Sequence, residues 1–344
     1  MGADGIPGHA ARALANASSH FAPRGLSTRQ KDVATHRNFD EDTNVRRTFL
    51  KWTATSVVAM AFSGLAQAQA PKQIRFGLLP AEDPTNMVEM FKGIAEHISK
   101  TTGLPTTVRV SESYNALIEA MRAGHLDVVY VGGSQYVKML DLKMDVVPLV
   151  LNRDTENRTY YKACVVSRSD SGIKTWNDVK GKTVAFVSPT STSGGVAPKF
   201  LMLKNGVNPD KDFKSKIYAG KHDAAFLAVK NKKVDVATVG DFYFWRWADR
   251  KILQMEKFDE PNDRLINSEL HIVGCVKVPN TPMVTLRKNG DKFIEDLRKA
   301  FETVPQQVAG AYKVWPSTGF VRTSHEDFVE LVEMDRMAAA ASKK

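Results

Sequence analysis

The chain has 344 residues, 43% of them hydrophobic and 25% charged, a composition that suits a soluble globular protein with room for two cores and excludes a fibrous or wholly disordered chain. Lys and Arg outnumber Asp and Glu by 48 to 38; the first 70 residues hold eight against five, leaving 40 against 33 in the remainder. That excess is mild and spread out, with no basic cluster interleaved with aromatics, so a nucleic-acid partner is not expected and only a weak bias toward anionic ligands remains.

Residues 1–45 are polar and patternless and are expected to be a disordered extension. Residues 46–70 read as a leader. In "NVRRTFLKWTATSVVAMAFSGLAQAQA", Arg46 and Arg47 precede Phe49, Leu50 and Lys51, then an uncharged run rich in Ala, Ser and Thr. Ala66-Gln67-Ala68 fits small-x-small cleavage, leaving Gln69 first. The stretch resembles a twin-arginine export signal, which implies a periplasmic destination. A basic amphipathic helix is the competing reading.

The mature chain alternates. "QIRFGLLP" reads as a strand, and "EDPTNMVEMFKGIAEHISKTTG" as a helix with Asp83 as N-cap, Pro84 in the first turn and Gly103 at the end. "TTVRVSES", the helical "YNALIEAMRAG" and "LDVVYVGG" complete a β-α-β-α-β series, the pattern of a parallel sheet flanked by helices. A second unit follows: "YYKACVVSR", a helix around "TWNDVKG", "KTVAFVS", a loop and helix, "FKSKIYAG", the helix "HDAAFLAVKNKK" and "VDVATVGD". "LHIVGCVKVPNTPMVTLRK" is β again, and beyond it only helices are expected, in "DKFIEDLRKAFETV", "QQVAGAYKVW" and "HEDFVELVEMDRMAAAA", packing back on the first unit. These limits give lobe 1 as residues 71–162 and 276–344 and lobe 2 as residues 163–275, with a cleft between them at the strand ends.

Cys164 and Cys275 each sit in an apolar β-like run, where a buried thiol is the default. They fall in the two candidate crossing strands and are expected as free or facultatively paired thiols away from any ligand. Two isolated cysteines without neighbouring His offer no metal site.

The stretch "VAFVSPTSTSGGVAPKFLMLKNG" carries the chemistry. Thr190, Ser191, Thr192 and Ser193 sit where a strand gives way to a helix running from about Gly194 to Asn205, and the unpaired amides and dipole there suit an oxyanion. Gly194 and Gly195 would let a ligand approach the backbone. The plainer alternative is that one hydroxyl merely caps the helix. Comparable junctions hold Tyr114, the Gly132-Gly133-Ser134 run with Tyr136, His222 with Asp223, and Asp241.

"IRFGLLPAEDP", "YNALIEAMRAGHLDVVYVGGSQYV", "STSGGVAPKFLMLKNGVNPDKDF" and "AGKHDAAFLAVKNKKVDVATVGD" together resemble the phosphonate, phosphite and phosphate substrate-binding proteins of ABC transporters, over about residues 73–335. The resemblance implies an α/β two-lobed periplasmic binding protein fold of the second type, with two parallel-rich sheets flanked by helices and a hinge. It further implies that Ser191, Thr192 and Ser193 hold a phosphorus oxyanion, that His222 donates to it, and that Tyr114 and Tyr136 close the cleft from the other lobe. An ammonium-bearing substituent would need acidic groups, for which Asp241 and Glu82 are the candidates. "GDFYFWRWADRK", with Trp245, Arg246 and Trp247, reads instead as a helix packing on the sheet.

The expected role is capture of a small oxyanion by a monomer that hands it to an ABC permease, without cofactor or metal. The alternative keeps the fold but sends the signal to a sensor kinase, with arsenite, arsenate or phosphate as ligand. An enzyme is not expected, because the sequence shows no nucleophile elbow, metal cluster or cofactor loop.

Overall fold

The computed structural model describes residues 71–154, 156–309 and 317–341. The expected extension over residues 1–45 and export signal over residues 46–70 lie outside the described residues.

The first unit runs β1 (Ile74–Leu78), α1 (Pro84–Thr102), β2 (Thr106–Val110), α2 (Tyr114–Arg122), β3 (Val128–Tyr130), α3 (Gly133–Asp141) and β4 (Val146–Asp154). Local signals set the ends. Asp83 Oδ1 accepts from the Thr85 and Asn86 amides at 2.9 and 3.4 Å, and Gly103 closes α1 at φ 72°. Met87, Met90, Phe91, Ile94 and Ile98 form the buried stripe of α1.

The chain then enters β5 (Tyr160–Arg168), β6 (Thr183–Phe186), α4 (Ala197–Lys204), β7 (Ser215–Tyr218), α5 (His222–Lys230), β8 (Val236–Gly240) and α6 (Phe242–Asp249). A hairpin of β9 (Lys257–Asp259) and β10 (Arg264–Ile266) precedes the long β11 (Leu270–Pro279). The return comprises β12 (Pro282–Leu286), α7 (Asp291–Glu302), α8 (Gln306–Ala309), β13 (Ser317–Arg322) and α9 (Val329–Ala341).

Two sheets result, ordered β2-β1-β3-β12-β4-β13 and β7-β6-β8-β5-β11. Each has a parallel half, β2-β1-β3 and β7-β6-β8, joined to an antiparallel half. The parallel halves are the βαβ units read from the sequence; the antiparallel halves come from the strands that carry the chain between lobes and from β4 and β13. The chain passes from one sheet to the other between β4 and β5 and again at residues 280–281, so β5 and β11 lie whole in the second sheet, where the expected limits were residues 162 and 276. At the crossings the Asn280 amide donates to Thr159 O at 2.8 Å, and Asn280 Nδ2 donates to Asn152 O at 2.9 Å.

Several expectations change. Residues 174–181 form turns, not a helix, because Asp178 Oδ2 accepts from the Lys174 and Thr175 amides and from Thr175 Oγ1 at 2.8–3.0 Å, an alternative to helical pairing. The C-terminal part is not all helical: β13 pairs antiparallel with β4, its register shifting beside Gly319. Pro148 lies inside β4, where a register shift against β12 accommodates its missing donor. The cysteines are joined: Cys164 and Cys275 stand directly opposite in the β5–β11 ladder, with Cα atoms 4.1 Å apart, and form a disulfide. Cross-strand neighbours at that spacing are within bridging reach, so the pairing that the crossing strands allowed is made. Finally, α9 packs on both α3 of the first lobe and α4 of the second.

Candidate functional site

Between the two sheets lies a cavity of about 30 Å³. Tyr114 at the start of α2, Gly132 at the cap of α3, Ser191, Thr192 and Ser193 after β6, and His222 at the start of α5 all line it. Four strand-to-helix junctions from two lobes therefore converge on one space.

The hydroxyl cluster is built from residue order. After β6 the chain enters a π-helical turn over Thr192–Val196 that continues into α4, with the Val196 amide donating to Ser191 O at 2.9 Å. Ser191 is the cap, its Oγ accepting from the Gly194 amide at 3.1 Å, so the plainer reading holds for this one residue. Thr192 Oγ1 accepts from the Ser134 amide across the cleft at 3.0 Å. Ser193 Oγ accepts from the Tyr161 hydroxyl at 3.2 Å. Each of the three oxygens thus accepts a hydrogen bond from the protein, and a hydroxyl that accepts still has its own hydrogen to donate.

Gly194 and Gly195 have a different cause from the one expected. A Cβ on Gly194 would stand 2.3 Å from Val187 Cβ, and one on Gly195 would stand 2.1 Å from Ser188 O, so both are small because the turn folds back on its own strand end. Close approach between lobes is the business of Gly132, where a Cβ would meet Thr192 Oγ1 at 2.7 Å.

His222 is 3% exposed, its ring stacked on Tyr243 at 4.3 Å, and its Nδ1 has no partner among the described residues. Burial, and secondarily Arg246, lowers its pKa to about 3, so the ring is neutral and carries one N–H to donate. Its amide donates to Ala81 O across the cleft at 3.0 Å. Burial also raises the phenols of Tyr114 and Tyr161 well above the usual range, keeping them protonated, with Ser191 and Ser193 as their respective hydroxyl neighbours.

The remaining expected residues lie elsewhere. Tyr136 is not among the cavity residues: one turn into α3, its ring packs on Phe328 at 4.8 Å and its hydroxyl sits 3.4 Å from His325 Nδ1. Asp241 caps its own helix, accepting from the Phe242 amide at 2.8 Å, and burial raises its carboxyl to about 7. Glu82 is fully buried one shell back, against Arg246 and 3.1 Å from Arg250 Nη2, and burial outweighs both cations to push its carboxyl up to about 7. Neither carboxylate lines the cavity.

Leu79, Met87, Met90, Phe91 and Phe242 supply apolar wall, while Tyr130, Tyr161, Tyr243, Arg246 and Thr281 complete it. These were not expected from the sequence. Only Arg246 was singled out there, as a packing residue; α6 does pack on the fold, yet this side chain also reaches the cavity. Among the described residues no group of three His, Cys, Asp or Glu is placed to hold a metal.

Residues 76–328 match the family described as "ABC transporter, phosphonate, periplasmic substrate-binding protein". A phosphate-import protein of Mycolicibacterium smegmatis is 28% identical over 200 residues, covering 54% of this chain and 62% of that one. The phosphonates-binding periplasmic protein of Escherichia coli is 27% identical over 194 residues, covering 55% and 56%. The matched stretches thus span less than two thirds of these relatives' length. A binding protein component of an ABC phosphonate transporter from Pseudomonas aeruginosa has a TM-score of 0.67 at 21% identity, covering 80% of this chain and 88% of that one. A Prochlorococcus marinus protein solved with methylphosphonate has a TM-score of 0.64 at 18% identity, covering 78% and 98%; both likenesses concern the fold. With the matched residues covering nearly all of both sheets and all four junctions, the chain belongs to the family of periplasmic substrate-binding proteins of phosphonate ABC transporters.

Proposed function

We propose that the protein is exported to the periplasm, closes on a small phosphorus oxyanion and delivers it to an ABC importer. The observation that carries this is the convergence of Ser191, Thr192, Ser193 and His222 with two protonated tyrosines on one enclosed space. Tyr161 donates to Ser193 and so supports that hydroxyl, while the buried Tyr114 phenol and the neutral His222 ring are further donors, a set that suits an anion better than a cation.

The walls restrict the substituent. The cavity is small, about 30 Å³, which favours an inorganic ligand or one with a short substituent. Among the described residues no carboxylate lines the space, and an ammonium there would be buried without a counter-charge. The reading therefore favours phosphite, phosphate or methylphosphonate over an aminoalkyl phosphonate. The family match and the phosphate and phosphonate relatives support the phosphorus centre.

Calorimetric titration of the full-length chain with phosphate, phosphite, methylphosphonate, aminoethylphosphonate, arsenate and sulfate tests it. One of the first three is expected to bind best, with aminoethylphosphonate weaker by about tenfold or more. Tightest binding of aminoethylphosphonate, or of sulfate, contradicts the reading.

A further inference from the structure

Arg246 carries the one formal charge among the described residues that line the cavity. Its side chain is 4% exposed. Nη1 faces Glu82 Oε1 and Nη2 faces the thioether of Met90, a weak acceptor, while Nε has no acceptor among the described residues. A guanidinium is always protonated, so this is a buried cation with an unmatched donor at the wall of an anion site. Its carboxylate partner stands behind it, outside the cavity lining, and is shared with Arg250 at 3.1 Å. Arg250 in turn lies 3.8 Å from Asp223, which also accepts from Trp247 Nε1 at 2.7 Å. The ion pair therefore presents its positive end to the ligand.

We propose that Arg246 is the charge-selecting residue of the cleft, favouring a doubly charged tetrahedral anion over a singly charged one of the same shape, and that Glu82 is the positioning residue that sets how strongly it does so. The proposal rests on the oxyanion reading of the cavity. The hydroxyls, the tyrosines and the neutral His222 are dipolar donors that serve either anion. Only a formal charge in a poorly solvated site distinguishes the second negative charge sharply, because the Coulomb energy there is much larger than in water. Glu82 crosses from the loop after β1 to α6 and fixes the guanidinium when the lobes close, while its own charge partly offsets that of Arg246.

Methylphosphonate and methanesulfonate are a matched pair for the test: at alkaline pH they have nearly the same shape and differ by one unit of charge. The affinity ratio between them is measured by calorimetry for the full-length parent and for Arg246→Met, Arg246→Lys and Glu82→Gln. The parent is expected to prefer methylphosphonate, Arg246→Met to lower the ratio about tenfold to a hundredfold, and Arg246→Lys to keep most of it. Glu82→Gln removes a negative charge behind the guanidinium and is expected to widen the ratio, which no loss of packing would do. An unchanged ratio in Arg246→Met, or an unchanged or narrowed ratio in Glu82→Gln, overturns the proposal, and the second decides if the first variant does not fold. Failure of the parent to bind either anion overturns this proposal; failure to bind phosphate and phosphite as well overturns the oxyanion reading itself.

Discussion

Ser134 and Thr192 meet across the cleft, the amide at the start of α3 donating to the threonine hydroxyl at 3.0 Å. The same oxygen ties the lobes together and lines the cavity. Thr192→Val keeps the shape and removes both functions. Ligand dissociation followed by stopped flow is expected to speed up about tenfold or more. A dissociation rate equal to the parent's would mean that this contact contributes nothing to the liganded state.

The disulfide joins the two strands next to the crossings, at a sequence separation of 111. Replacing both Cys164 and Cys275 with serine is expected to cost about 2–4 kcal/mol of stability, mainly through the unfolded chain. Neither cysteine lines the cavity, so affinity should stay close to the parent's. Melting curves and calorimetry on the same samples check both halves; a large loss of affinity at little loss of stability would place the bridge in the binding machinery.

Asp241 gives a pH dependence with a definite sign. Burial raises its folded-state carboxyl from 3.8 to about 7, so between those values the folded chain holds a proton that the unfolded chain releases. Its contribution to stability is full below the unfolded value and is lost as pH rises toward 7. Glu82 acts in the same direction. His222, lowered to about 3, acts in the opposite one, so the parent's overall profile is a partial cancellation. Asp241→Asn preserves a capping acceptor and removes one contribution. Relative to the parent, the variant is expected to gain up to about 4 kcal/mol between acid and neutral pH. Parallel stability curves for the two chains would refute the assignment.

The paired arginines make a prediction about export. Arg46→Lys together with Arg47→Lys is expected to leave precursor in the cytoplasm, as judged by fractionation and immunoblotting. Undiminished periplasmic yield would mean that the leader is read by another route.

What was legible in the sequence was local. Asp83-Pro84 ahead of an apolar stripe and Gly103 behind it define α1 without help from the rest of the chain. The run of hydroxyls after β6 likewise sits within one strand-to-helix junction, so its place in the fold is legible from the local sequence. What was missed depends on distant chain. Tyr161 reaches the site from β5, while Met87 and Met90 come from α1 and Arg246 from α6, and nothing in any one segment shows that they meet. Tyr136 was drawn to the cleft by its place in a motif, but the ring of Phe328 claims it. The two glycines illustrate the same limit, since the Ser188 carbonyl that forces Gly195 to be small is visible only once the turn is folded. The lobe limits expected at residues 162 and 276 fall inside β5 and β11, whose sequences carry no turn signal to mark where the chain crosses.

Calorimetric titration of Ser193→Ala, with melting curves alongside, tests the oxyanion cavity most directly. Ser193 caps no helix; its oxygen accepts from Tyr161, and its hydrogen is the part assigned to the ligand. Losing a charge-assisted bond in a closed cleft costs about 1.5–3 kcal/mol, so affinity for the best anion of the panel is expected to fall by roughly tenfold to more than a hundredfold, with little change in melting. A variant that melts lower yet binds that anion as tightly as the parent would show that the hydroxyl cluster serves the fold and that the ligand is held elsewhere.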